Sequence, residues 1–157
     1  MTIHSLKRIA LVAGFAGVAL PAMAQEFYVG LTYGQAQPSG GTEHAITSVY
    51  AGGLFGRSSI AYGGEIEFSI AQPELMDGTT RLRGVVHNDL GGLGTFATLG
   101  LSQYGLIGGG QANGVNYGLG IDYGVTDRID VRLEAMRDIL WDADDVNTIR
   151  LGVSYGF

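Results

Sequence analysis

From Phe27 to Phe157 the chain alternates apolar and polar side chains with a period of two, the repeat of strands whose successive residues face opposite sides. The last segment is clearest. Ile149, Leu151, Val153, Tyr155 and Phe157 fall on one face, and Thr148, Arg150, Gly152, Ser154 and Gly156 on the other. Val115 to Val125 sets Tyr117, Leu119, Ile121 and Tyr123 against Asn116, Gly118, Gly120 and Asp122, and Ile129, Val131, Leu133 and Ala135 then alternate with Asp130, Arg132, Glu134 and Met136. Earlier, Ile60, Tyr62, Gly64, Ile66 and Phe68 oppose Glu65, Glu67 and Ser69. Phe27, Val29, Leu31 and Tyr33 oppose Tyr28, Gly30 and Thr32, and Leu82, Gly84 and Val86 oppose Arg81, Arg83, Val85 and His87. Two further segments, Ala45 to Phe55 and Thr95 to Tyr104, are strand-like without a clear assignment of faces. The pattern predicts eight strands.

The connections fall into two kinds. Short turns are expected at Gly56 to Ser58, Asp89 to Gly92 and Thr126 to Arg128, where glycine and aspartate suit tight reversals. Longer polar links are expected at Gln35 to His44, Ala71 to Gly78, Gly105 to Asn113 and Asp138 to Asn147. Long and short alternate strictly. In an up-and-down arrangement all long loops then lie at one end, and the short turns with both chain termini at the other, as in transmembrane barrels of outer membranes.

The two faces decide between a soluble core and a lipid-facing belt. The polar face carries Glu65, Glu67, Arg81, Arg83, Asp122, Asp130, Arg132, Glu134 and Arg150 among glycines. The interior of an eight-stranded barrel is just wide enough to be filled by side chains, so a lumen of long charged residues beside glycines is sensible. A soluble barrel would instead expose those strand glycines to water without packing benefit. The apolar face places Phe27, Tyr33, Tyr62, Phe68, Tyr117, Tyr123, Tyr155 and Phe157 near strand ends, where interfacial girdles of membrane barrels lie. The expected fold is an all-β, eight-stranded antiparallel up-and-down transmembrane barrel, with a lipocalin-like soluble barrel as the alternative.

Composition sharpens this picture. Residues 1–24 read as a cleaved secretory signal: a basic start at Lys7 and Arg8, an apolar run from Ile9 to Leu20, and the small-residue site Ala22-Met23-Ala24 before Gln25. The 12-residue run is too short for a membrane helix, which needs about 20 residues. Removing residues 1–24 leaves 7 basic residues (9 minus Lys7 and Arg8) against 15 acidic, a balance of −8 without lysine. Nucleic acid is excluded as a partner, because no basic patch exists to neutralise phosphates. The absence of cysteine excludes disulfides and thiolate metal sites. The uncharged stretch Leu90 to Ile121 holds 11 glycines in 32 positions, each costing a helix about 1 kcal/mol relative to alanine. It reads as two strands around a loop.

On these features residues 25–157 resemble the small outer-membrane barrel family of OmpA-type and OmpX-type proteins and opacity-like surface antigens. The most specific element is Thr148 to Phe157, with apolar residues at every second position before a terminal aromatic; Asn116 to Asp127 is similar to the family's sixth strand and turn. The resemblance implies export to the cell outer membrane and partners in its lipid and lipopolysaccharide. It implies recognition of Val153, Tyr155 and Phe157 by the outer-membrane insertion machinery during assembly. A monomer without cofactor or metal is expected. The chain ends at Phe157, so no tethering role through a periplasmic domain is expected.

Candidate chemistry is sparse. The lumen charges are expected to form a structural network, Glu65 and Glu67 facing Arg81 and Arg83, extended by Arg132, Glu134 and Arg150; a narrow gated pore is the functional alternative. A lipid-modifying enzyme would need a serine, histidine and carboxylate near one rim. His87 with Ser58 and Asp89 is the only constellation to consider, and nothing in the sequence fixes its geometry. His44 lacks a second ligand at metal-site spacing. The segment Trp141 to Asp145 is acidic but has no calcium-loop pattern, and Gly108 to Gly110 lacks the lysine of a phosphate-binding loop. The expected role is structural, in envelope integrity, or interactive, through four long surface loops.

Overall fold

The computed structural model describes residues 25–56, 58–70, 78–106 and 108–157. Eight strands follow in order: β1 Gln25–Pro38, β2 His44–Phe55, β3 Ile60–Ser69, β4 Gly78–Asp89, β5 Leu93–Gly105, β6 Gln111–Gly124, β7 Ile129–Leu140 and β8 Val146–Gly156. Each pairs antiparallel with its sequence neighbour, and β8 pairs with β1 from Tyr28↔Gly156 to Pro38↔Val146, closing the barrel. Closure leaves no unpaired edge, the condition for a sheet to cross lipid. The seam continues past the last strand, where Phe157 N donates to Phe27 O at 3.0 Å. No described helix is long and apolar enough to cross a membrane, and the uncharged stretch Leu90 to Ile121 folds into β5 and most of β6.

Local chemistry sets the reversals at the terminus end. Asp89 accepts from the amides of Gly91 (2.8 Å) and Gly92 (3.3 Å), and those glycines take φ of 89° and 95°, a left-handed conformation that favours glycine. Thr126 Oγ1 accepts from the amides of Arg128 (3.2 Å) and Ile129 (3.0 Å), closing the turn before β7.

The strands alternate as expected through most of their length. Leu31, Leu99, Leu119, Leu133 and Leu151 point outward and exposed, while Thr32, Thr98, Arg132, Glu134 and Arg150 point inward and buried. The strands with unassigned faces resolve: β2 turns Ile46, Ser48 and Tyr50 inward, and β5 turns Phe96, Thr98, Ser102 and Tyr104 inward.

The links at the other end differ from expectation. In place of long loops at Gln35 to His44, Gly105 to Asn113 and Asp138 to Asn147, the strands run on and only residues 39–43, 106–110 and 141–145 connect them. The fourth link covers 70–77, of which 71–77 lie outside the described residues. The reason is an inversion of polarity along the strands. Beyond the apolar belt the outward residues become Gln35, Gln37, Gln103, Gln111, Asn113 and Asn147, all exposed. The inward residues there become Ala36, Ile46, Tyr104, Ala112, Leu140 and Val146, which form one buried apolar cluster with Leu106 packed against it. The barrel wall therefore continues out of the apolar zone with its faces exchanged, and the polar residues that suggested loop belong to strand.

Candidate functional site

The lumen holds three levels. At the loop end lies the apolar cluster. In the middle lies an ion network built by the register of β3 and β4, which sets Glu65 opposite Arg83 and Glu67 opposite Arg81. Arg83 pairs with Glu65, with Glu67 at 3.0 Å and with Glu134 across the lumen at 2.7 Å. Arg150 grips Glu67 with Nη1 and Nη2 (2.6 and 2.7 Å) and reaches Glu134 at 2.7 Å. Arg132 joins Glu65 (2.9 Å) and Glu134 (3.2 Å), its guanidinium lying 4.8 Å from the centre of the Tyr50 ring and 4.3 Å from that of Phe96. Such forked, charge-assisted contacts are the strong class of hydrogen bond. Glycines make room for the aromatic walls: a Cβ at Gly30 would run into the Tyr50 ring, and one at Gly120 into Phe96.

Asp138 belongs to this network although its place in the sequence marked the start of a loop. It is fully buried, accepts from Arg81 Nε (3.1 Å) and Nη2 (3.0 Å), and accepts from the Tyr104 hydroxyl (2.9 Å). Arg81 also bonds Glu67 at 2.7 Å. The alternation of β7 was the available signal: Asp130, Arg132, Glu134, Met136 and Asp138 occupy one face at steps of two. The network thus balances four carboxylates, Glu65, Glu67, Glu134 and Asp138, with four guanidiniums, Arg81, Arg83, Arg132 and Arg150.

Asp122 and Asp130 do not enter it. They face inward but lie toward the terminus end, and the Arg132 side chain opposite Asp122 is drawn away to Glu65 and Glu134. Asp122 instead meets His87 at 3.0 Å, and both aspartates line a chamber of about 550 Å³ that opens at the terminus end. Ser58, His87 and Asp89 line the same chamber without forming a hydrogen-bonded triad: Ser58 Oγ is engaged with Ile60, and the Asp89 carboxylate is held by its own turn. At the loop end, His44 meets Thr42 (3.2 Å) and Asp145 meets Arg137 (2.7 Å). Among the described residues no three histidine, aspartate or glutamate side chains are placed to hold a metal ion.

The outer face carries two aromatic girdles. Phe27, Tyr62, Tyr123, Tyr155 and Phe157 lie at the terminus end, and Tyr33, Phe68 and Tyr117 lie toward the loops with Trp141 beyond them. Of the residues expected to form a C-terminal signal, Val153, Tyr155 and Phe157 all point outward, at 51, 42 and 68 % exposure. The leader expected over residues 1–24 lies outside the described residues.

A lumen filled by buried side chains, an apolar belt and paired girdles describe a membrane-spanning barrel, and comparison with known proteins agrees. A family model described as "Outer membrane protein beta-barrel domain" matches residues 10–157. No curated protein matches in sequence. Among solved structures, the N-terminal β-barrel domain of Pseudomonas aeruginosa OprF superposes with a TM-score of 0.62 at 15 % identity, covering 83 % of this chain and 97 % of that one. Ail, the attachment invasion locus protein of Yersinia pestis, gives 0.61 at 13 % identity, covering 85 and 97 %. Neisserial surface protein A gives 0.57 at 12 % identity, again covering 85 and 97 %. At such identities these likenesses speak for the fold alone. With the family match spanning nearly the whole chain, the protein belongs to the outer membrane protein beta-barrel domain family, as a small eight-stranded barrel of the outer membrane.

Proposed function

We propose that this protein serves the outer membrane as a closed structural barrel that contributes to envelope integrity and presents a stiff, short-looped rim to the outside, not as a pore or a lipid-modifying enzyme. The observation that carries this reading is the double seal of the lumen, in which a charge-balanced ion network fills the middle and an apolar cluster caps the loop end. Ions crossing the lumen would have to break buried pairs and then pass an apolar constriction, each a large barrier in a medium of low dielectric. Extending the strands beyond the belt favours contact through a rigid rim over adaptable loops. Export by a cleaved leader at residues 1–24, assembly through Val153, Tyr155 and Phe157, and lateral contact with phospholipid and lipopolysaccharide complete the proposal.

Planar-bilayer recording on purified protein tests it, with no unitary conductance expected. Steady channel openings would overturn the closed-barrel reading. In a deletion strain, raised sensitivity to detergent that is restored by the wild-type gene is expected; an unchanged envelope would remove the structural role.

A further inference from the structure

Two ionisable side chains from strands that are not neighbours meet over Gly94. β4 turns His87 into the lumen and β6 turns Asp122 into it, while β5 runs between them, with Phe96 opposite His87 and Gly94 opposite Asp122. Because Gly94 has no side chain, His87 Nε2 reaches across β5 to both carboxylate oxygens of Asp122, at 3.1 and 3.0 Å. A Cβ at Gly94 would run into the His87 ring nitrogen and the Asp122 carboxylate alike. The backbone of Gly94 is not in the left-handed region, so space for this pair, not conformation, calls for glycine there. The pair is part-buried, at 19 and 20 % side-chain exposure.

His87 and Asp122 line the chamber that opens at the terminus end, so protons reach them from the water there. Histidine is the side chain whose charge ordinarily changes between about pH 5 and pH 8. A neutral ring gives Asp122 one hydrogen bond, and a protonated ring gives it an ion pair in a part-buried setting, where such a pair is stronger than in open water. The other ionisable groups facing this space are Asp89 on the same strand, Glu26 and Tyr28 on β1, and Asp130 and Arg132 on β7. Arg132 is held by Glu65 and Glu134, and the Tyr28 hydroxyl donates to Glu65. Among the described residues, β2, β3, β5 and β8 add to this lining only uncharged side chains such as Leu54, Ala61, Phe96 and Ser154.

We propose that the pair of His87 and Asp122 is a pH-sensitive latch: a proton on His87 ties β4 to β6 across β5 at the terminus end of the barrel, and loss of that proton loosens the tie. The carboxylates, with ordinary values near about 4, stay ionised over the range in which the ring titrates. The stabilisation is therefore present in acid and is lost as the pH rises. Urea unfolding of the full barrel in lipid vesicles tests this, and the folding equilibrium constant is expected to be about fivefold larger at pH 5 than at pH 8. His87→Gln and Asp122→Asn are expected to lose that dependence. Gly94→Ala adds no titrating group but pushes the pair apart, and is expected to lose it as well; should this variant fail to fold, Asp122→Asn decides the matter. Asp130→Asn and His44→Gln leave the pair intact and are expected to keep the dependence. A wild type equally stable at both pH values overturns the latch, as does a dependence that survives in any folded variant of His87, Asp122 or Gly94, or one that Asp130→Asn or His44→Gln abolishes.

Discussion

Glu134 accepts hydrogen bonds from Arg83, Arg132 and Arg150, and so ties three strands together through one carboxylate. Removing one partner of a buried pair leaves the other charge uncompensated, at about 3–5 kcal/mol. Glu134→Gln is therefore expected to lower the unfolding free energy by about that amount in a urea titration in lipid vesicles. Exposed Asp142→Asn, within the loop 141–145, is expected to stay within about 0.5 kcal/mol of wild type. Equal stability of the two variants would show the network to be energetically idle. Glycine also acts at this scale: Gly120→Leu would push on Phe96 and, through it, on Arg132, and a loss of at least about 1–3 kcal/mol is expected in the same titration. The charged members of the network at Glu65, Glu67, Arg81 and Arg83 are legible in sequence because they alternate with apolar neighbours. Asp138 was not, because polar residues follow it at the rim and make the segment read as loop.

The barrel wall carries two patterns in series: an apolar outer face around a polar and charged lumen, then, on β1, β2, β5, β6, β7 and β8, apolar residues turned inward at the loop end. The first belongs where lipid surrounds the wall and the second where water does. The boundary falls where β5 passes from Leu101 to Gln103 and β6 from Val115 to Asn113 on their outward faces. Leu119→Arg, at 68 % exposure in the middle of the belt, is expected to cost about 2–4 kcal/mol of folding free energy in bilayers. Gln103→Arg, on the rim, is expected to cost no more than about 1 kcal/mol. Similar costs at both sites in vesicle-based unfolding would place the boundary elsewhere. Period-two alternation suffices to find eight strands, but a reversal of polarity midway defeats any reading that expects one face to stay apolar. That is why the flanks of three expected loops proved to be strand.

For the whole molecule, closure predicts cooperative behaviour. The unheated protein in detergent is expected to migrate differently from the boiled, unfolded form, with a β-rich circular dichroism spectrum; identical mobilities would count against a closed barrel. The two seals act in series, so Arg83→Ala is expected to remain non-conducting in planar bilayers even though it unsettles Glu65 and Glu134, because the apolar cluster still caps the loop end. Conductance appearing in that variant would make the ion network the sole barrier.

The order and number of strands, the lipid-facing side and the sign of most lumen residues are local properties, written in the alternation of neighbouring side chains, and the sequence by itself determined them. Which charges meet depends on register and on side chains reaching across the lumen, as Arg150 does to Glu67 and Arg81 to Asp138. The exclusion of Asp122 and Asp130 from the network, the apolar cap and the chamber arise in the same way, from the level along the closed lumen at which each inward residue enters it. Only the tertiary structure decided these, because they are contacts between residues far apart in the chain, which local periodicity does not encode.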